Sequence, residues 1–186
     1  MRADIERWEQ KYQRRGLHLE ITPDPLLLCH RGLFTGHGRS LDVASGLGDN
    51  AMFLAGLGFE TYAVDGSFNA LSMAQARARA HNLNIHTWVA DLDTYPLPEC
   101  AFEVILVMRF LNRSLIEQFK NALRPGGLFV YKTFNANFLT NKPDFPPAYV
   151  LQPGELATFF RNWRCIETND RPDNPETESY WIGQKS

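Results

Sequence analysis

Three aspartates, Asp42, Asp65 and Asp91, each close a short apolar run, and the first two flank a bend of small residues, Ala44-Ser45-Gly46-Leu47-Gly48. An apolar strand, an acid, a glycine bend and a helix start make a pocket for a nucleotide-like ligand. Leu41 and Val43 fit a buried strand, Gly46 and Gly48 let the backbone turn sharply and a ligand approach without a Cβ, and Asp49-Asn50 can cap the helix that Ala51-Met52-Phe53 begins. Asp65 follows Gly48 by 17 residues, near the spacing of roughly 20 expected of an acid that takes the two hydroxyls of an adenosine ribose. Asp91-Leu92 then offers an acceptor for an exocyclic amine and an apolar wall for a purine ring. Taken singly, Asp65 reads equally well as a helix cap with Gly66-Ser67, and Asp91 as the start of a loop. The ordered set points to a ligand.

The elements that must position these residues alternate. Strands are predicted over Ser40–Ala44, Glu60–Val64, Ile85–Ala90 and Phe102–Val107, with helices over Asn50–Leu57, Ser67–His81 and Ser114–Leu123. Such alternation gives a parallel sheet, and the run Val104-Ile105-Leu106-Val107 is apolar enough to be its central strand. The turn Arg124-Pro125-Gly126-Gly127 stops a helix and Leu128–Thr133 is the next strand. A helix over Pro153–Phe160 and strands at Arg164–Thr168 and around Tyr180-Trp181-Ile182 complete the pattern, the last two as an edge hairpin. Before the first strand, Ala3–Arg15 carries Trp8 and Tyr12 on one helical face, and Pro23-Asp24-Pro25 opens a second short helix. The expectation is one domain over residues 1–186 with a helical lid at about 3–34. Its fold class is α/β, a doubly wound, mostly parallel seven-stranded sheet with an antiparallel edge strand.

With 186 residues, 44% of them apolar and 22% charged, the chain can bury one core, and a net charge of −2 without a basic run argues against nucleic acid or an anionic membrane as partner. Small molecules are the expected substrates. Cys29, Cys100 and Cys165 lack CxxC spacing, so neither a disulfide framework nor a metal site is expected, and the compartment expected is the cytoplasm. The N-terminal residues carry no signal-peptide core, and oligomeric state is not readable. GxGxxG fails because Ala51 stands where a third glycine is needed, which disfavours a nicotinamide-dependent oxidoreductase, and there is no GxxxxGK[ST].

Asp42-x-Ala44-Ser45-Gly46-x-Gly48, Asp65-Gly66-Ser67 and Ala90-Asp91-Leu92 resemble the first three motifs of class I S-adenosylmethionine-dependent methyltransferases, and Arg124-Pro125-Gly126-Gly127-Leu128 resembles another of their landmarks. Within that class the chain is similar to small tellurite-resistance-type methyltransferases, through Trp8-x-x-x-Tyr12 and Met108-Arg109-Phe110-Leu111-Asn112-Arg113. The resemblance spans most of residues 4 to 165 and implies a Rossmann-like methyltransferase fold with S-adenosylmethionine as cofactor. It implies that Asp42, Ala44, Ser45, Gly46, Gly48 and Asn50 line the methionine end, that Asp65, Gly66 and Ser67 hold the ribose, and that Asp91 and Leu92 face the adenine. Met108 and Arg109 would border the sulfonium. Ala44 departs from the family, which usually has glycine there; the change should tighten the loop without filling the pocket.

Trp8 and Tyr12 either line that cofactor or staple the first helix to the body. Arg109 either orients an anionic acceptor, with Arg113 or Tyr131 assisting, or forms a salt bridge. Met108-Arg109-Phe110-Leu111 stands where enzymes that methylate exocyclic amines or glutamine amides carry Asn/Asp-Pro-Pro-aromatic, so those substrates are disfavoured. No histidine or other residue stands out as a general base, which suits a thiol, chalcogen oxyanion or carboxylate acceptor. A module that binds the cofactor but has lost catalysis is the alternative from another class. Lys142-Pro143-Asp144-Phe145-Pro146-Pro147 reads as a mobile lid or a rigid spacer.

Overall fold

The Ser67 hydroxyl accepts the Ala70 N–H at 3.0 Å, so the long middle helix starts one residue after its cap. This computed structural model describes residues 2–14, 16 and 18–186, and the chain divides into two compact units, Met1–Leu97 and Pro98–Ser186. The first contains α1 (Arg2–Gln13), α2 (Pro25–Cys29), β1 (Arg39–Val43), α3 (Asp49–Leu57), β2 (Glu60–Asp65), α4 (Phe68–Ala80) and β3 (Ile85–Val89). The expected N-terminal helix ends at Gln13; Arg15, like Met1 and Leu17, lies outside the described residues.

β1 pairs with β2 and β2 with β3, all parallel, setting Leu41 opposite Tyr62 and Tyr62 opposite His86. Parallel neighbours need crossover connections, which α3 and α4 supply. Ala70, Ala74 and Ala78 recur every four residues along α4, and Ala74 and Ala78 pack with Leu71, Met52, Ala63 and Ile85 in a close core. The small side chains matter for the site. A Cβ at Gly48, where φ is +75°, would stand 2.9 Å from the Ala74 Cβ, so α4 presses directly on the bend after β1.

The second unit contains β4 (Phe102–Met108), α5 (Ile116–Ala122), β5 (Leu123–Phe134), α6 (Phe138–Asn141), α7 (Glu155–Phe159), β6 (Arg164–Thr168) and β7 (Glu178–Gln184). β4 and β5 are parallel, while β7 runs antiparallel to both β5 and β6, pairing Val130 with Ile182. The seven-stranded sheet has the order β3-β2-β1-β4-β5-β7-β6. β4, as its unbroken apolar run predicted, is the middle member. The antiparallel strand is β7, with β6 outside it as the hairpin edge. Phe129, Tyr131, Phe160, Trp163 and Trp181 stack into an aromatic core with neighbouring centroids 4.6 to 6.4 Å apart.

Three boundaries differ from the sequence expectation. The helix predicted from Ser114 opens as a 3-10 turn, Arg113–Leu115, because the Asn112 side chain accepts the Ser114 N–H at 3.1 Å. Arg124-Pro125-Gly126-Gly127 does not stand apart as a turn but lies within the start of β5, where the ladder to β4 shifts register. The helix predicted over Pro153–Phe160 is confined to Glu155–Phe159. Within Lys142–Pro147, Phe145 packs against Phe134, Phe138 and Tyr149.

Candidate functional site

The bend after β1 is held from below and from the side. Asp42, at 1% exposure, accepts the Ala51 N–H at 3.0 Å on one oxygen, and its other oxygen is buried with no hydrogen-bond partner. Burial pushes its carboxyl up to about 8, with the charges of Asp65 and Asp49 adding to the effect and the Ala51 N–H opposing it. The helix start is therefore served by Asp42, not by the expected cap Asp49-Asn50. Asp49 instead accepts the Thr22 N–H and Asn50 the Asp24 N–H, both at 2.9 Å, tying the segment before α2 to α3.

Asp65, at the end of β2, organises the bend. One oxygen accepts the Gly46 N–H and the other the Ser67 N–H, each at 2.8 Å. Burial raises its carboxyl above the ordinary value, opposed by those two N–H groups. Asp65 is thus both the cap-like residue of one reading and an acid at a strand end of the other, since each carboxylate oxygen has a second lone pair. The Ser45 N–H donates to the Val64 carbonyl at 3.1 Å, while its hydroxyl is buried without a partner.

Ala44 sits at φ +53°, in the left-handed region. A side chain there costs about 1–2 kcal/mol, partly offset by the smaller unfolded-state entropy of alanine relative to glycine. Ala44→Gly is accordingly expected to stabilise the protein by about 0.5–1 kcal/mol, read as a higher midpoint in denaturant melts.

Helix α1 lies over this bend. Ile5 covers Gly66, and Tyr12 covers Gly46 so closely that a Cβ there would be 2.7 Å from the tyrosine oxygen. Glu9, between them, accepts hydrogen bonds from the Ser67 hydroxyl and, at 2.7 Å, from the Asn69 amide. Trp8 stacks behind Tyr12 at 5.7 Å, with the Lys11 ammonium 3.9 Å over its ring. Tyr12 therefore reaches the bend and Trp8 braces it. Sequence reasoning missed Glu9, although Ile5, Glu9 and Tyr12 share the i, i+4, i+7 spacing of one helical face.

Arg77 was also missed. Its guanidinium, 3% exposed, donates to the Leu47 carbonyl at 2.6 Å, to Asp49 at 2.7 Å and to the Glu20 carbonyl, clamping the bend to the segment before α2. An arginine on the inward stripe of α4 was the available signal. Arg77→Met removes the donor of two carbonyls and the partner of the partly exposed Asp49 carboxylate, so a loss of about 2 kcal/mol in unfolding free energy is expected in urea titration.

At the end of β3 the Ala90 N–H donates to the Asp65 carbonyl at 3.1 Å, and Asp91 accepts the Asp93 N–H at 3.0 Å, opening a turn with Leu92 buried beneath. The first unit thus brings Tyr12, Asp42, Ala44, Ser45, Gly46, Gly48, Asn50, Asp65, Gly66, Ser67, Asp91 and Leu92 to the carboxyl ends of its three strands, where open α/β sheets bind ligands.

In the second unit Met108 ends β4 and Arg109 follows it, paired with Glu178 at 2.7 Å. Two acceptor-site expectations need correction. Arg113 donates to Glu155 at 2.5 Å and to the carbonyls of Ala148 and Val150 at 2.6 and 3.0 Å, so its fork is used to fasten the segment before α7. Tyr131 is fully buried in the aromatic core, its hydroxyl donating to the Phe110 carbonyl at 2.8 Å, and burial raises its pKa. In this structure both side chains are engaged in contacts within the second unit. Among the described residues no three His, Cys, Asp or Glu side chains gather as a metal set, and no helix is long and apolar enough to cross a membrane.

An adenosyl ligand with a zwitterionic tail needs acceptors for ribose hydroxyls and an ammonium, and a backbone that leaves room. The two orphaned buried oxygens, on Asp42 and Ser45, the Asp65 carboxylate and the Cβ-free bend meet that demand. Residues 41–127 match the family described as a methyltransferase domain. This match and the donor set around the bend fit S-adenosylmethionine as a cofactor. The chain is similar to the protein named probable S-adenosyl-L-methionine-dependent methyltransferase TehB of Haemophilus influenzae, 26% identical over 140 residues, which are 71% of this chain and 48% of TehB. The chain spans about half the length of the curated relatives it matches. The crystal structure of TehB from Haemophilus influenzae superposes with a TM-score of 0.72 at 19% identity, covering 96% of this chain and 66% of that one. A protein solved in work on the conversion of a disulfide bond into a thioacetal group during echinomycin biosynthesis gives 0.73 at 20% identity, covering 98% and 92%. At these identities the two structures establish the fold.

Proposed function

We propose that this chain transfers the methyl group of S-adenosylmethionine to a small-molecule acceptor with a soft or already ionised nucleophile: a thiol, a chalcogen oxyanion or a carboxylate. The observation that carries the methyl-transfer reading is the Asp65 carboxylate strung between the Gly46 and Ser67 N–H groups under α1. When bound, the cofactor supplies an electrophilic methyl carbon, which takes up the acceptor's lone pair while the electrons of the broken carbon–sulfur bond stay on sulfur. Asp65 would hold the ribose hydroxyls, Asp91 and Leu92 the base, and Asp42 with Ser45 to Gly48 the methionine end. Tyr12 and Trp8 would exclude water from above. Holding donor and acceptor in line can contribute roughly 7–11 kcal/mol, so no strong base is needed when the acceptor arrives ionised. The net charge of −2 and the lack of a basic run favour a small-molecule substrate, without nucleic acid or membrane as partner, in the cytoplasm.

Calorimetry with S-adenosylhomocysteine, followed by incubation with labelled S-adenosylmethionine and a panel of thiols, selenite, tellurite and small carboxylic acids, tests this. Label transfer to a panel member is expected. Cofactor binding with no transfer to any acceptor would favour the binding-module reading; tight NADH binding with no response to S-adenosylhomocysteine would favour an oxidoreductase.

A further inference from the structure

Helix α1 is attached to the first unit by one face. Among its described side chains, Asp4 to Gln13, none is fully buried, whereas α3 buries four residues and α4 five. A helix of 12 residues is marginal alone in water, so its order depends on how it docks. That docking rests on Ile5 over Gly66, Glu9 on the start of α4 and Tyr12 over Gly46. Glu9 is the charged member: one oxygen accepts the Ser67 hydroxyl and, at 3.2 Å, the Asn69 N–H, and the other accepts the Asn69 side-chain amide at 2.7 Å. Gly46 and Ser67 are the residues whose N–H groups Asp65 accepts, so α1 spans that carboxylate. The Tyr12 oxygen occupies the space that the missing Gly46 Cβ leaves, and a ligand reaches that side of the bend only after α1 has moved. The helix can move as a piece. The Trp8–Tyr12 stack, the Lys11–Trp8 contact and the Arg7–Asp4 pair at 3.0 Å are all internal to it. Further along, the Leu19 and Glu20 carbonyls are fastened to α4 by His81 and Arg77, which keeps the following segment in place.

We propose that α1 is a gate over the cofactor site and that Glu9 is its latch, a positioning residue that holds the helix shut through Ser67 and Asn69 and so sets how fast the cofactor enters and leaves. This rests on the cofactor reading of the same site and adds a kinetic role to it. A latch closed in both the empty and the loaded protein opposes entry and exit alike, so it changes rates and leaves affinity nearly constant.

Glu9→Ala removes the latch, and Glu9→Gln keeps its length and an acceptor while losing the charge. Association and dissociation rates of S-adenosylhomocysteine are read by surface plasmon resonance, and amide exchange over residues 4–13 by mass spectrometry on the unliganded protein. Glu9→Ala is expected to raise both rates about 10-fold, the loss of one charge-assisted contact, with the dissociation constant within about 3-fold of the parent. Exchange in α1 should rise about 10-fold while α3 is unchanged, and Glu9→Gln should fall between Glu9→Ala and the parent in every readout. Faster dissociation alone, with affinity weakened to match, would make Glu9 an ordinary support of the bound state and overturn the gate, as would unchanged rates. Unchanged exchange in α1 overturns the latch whether or not the cofactor binds. Failure of the parent to bind S-adenosylhomocysteine overturns the cofactor reading, and the gate with it.

Discussion

Asp65→Ala is expected to weaken S-adenosylhomocysteine binding by about 100-fold or more while leaving the protein folded. In the proposed complex each ribose hydroxyl gives a hydrogen bond to an ionised carboxylate, worth about 1.5–3 kcal/mol, and two of them correspond to roughly 10² to 10⁴ in affinity. The same carboxylate also holds the Gly46 and Ser67 N–H groups, so its loss relaxes the bend that the cofactor would meet. Folding stability should change far less. The side chain is largely withdrawn from water, and the desolvation that raises its pKa offsets much of what those two N–H groups contribute. Calorimetry and a thermal melt on the same sample separate the two effects. Unchanged affinity with a lowered melting temperature would leave Asp65 as an organiser of the turn alone.

The strands were legible because each has a one-step signal: apolar runs ended by acids at Asp42 and Asp65, and an unbroken Val104-Ile105-Leu106-Val107 for the middle of the sheet. The start of α4 was legible to within one residue, although the cap is Ser67, whose partner is three residues away, and not Asp65. What failed was nonlocal. Nothing near Ala51 tells that its N–H is taken by Asp42, nine residues earlier, and α7 is capped by Asp170, which accepts the Leu156 N–H at 2.7 Å from a later segment. Tyr131 was misassigned because an aromatic with a polar tip reads alike in a pocket and in a core; only the packing of Phe160 and Trp181 around it decides. Lys132 and Glu178 are far apart in the chain and meet because β7 folds back antiparallel on β5, a pairing no local pattern encodes. Arg77 is the intermediate case: its place on the inward stripe of α4 was visible, but its partners Leu47, Asp49 and Glu20 were not.

Asp42 should make the stability of the unliganded protein fall as pH rises. In the unfolded chain its carboxyl titrates near 3.8, and in the folded protein burial pushes it up to about 8, aided by Asp65 and Asp49 and opposed by the Ala51 N–H. Between those values the folded state holds a proton that the unfolded state has lost, so unfolding free energy declines with pH. The protonated form's contribution is complete below about 3.8 and lost as pH rises through about 8. A shift of this size corresponds to about 6 kcal/mol across the window. The raised carboxyl of Asp65 adds a slope of the same sign. Asp42→Asn keeps an acceptor for the Ala51 N–H but cannot titrate. Urea melts from pH 5 to pH 9 are therefore expected to show a steep decline in the parent and a shallower one in Asp42→Asn, the two curves diverging towards high pH. Parallel curves would mean that Asp42 is already ionised in the folded chain, and that its second oxygen has found a compensating donor.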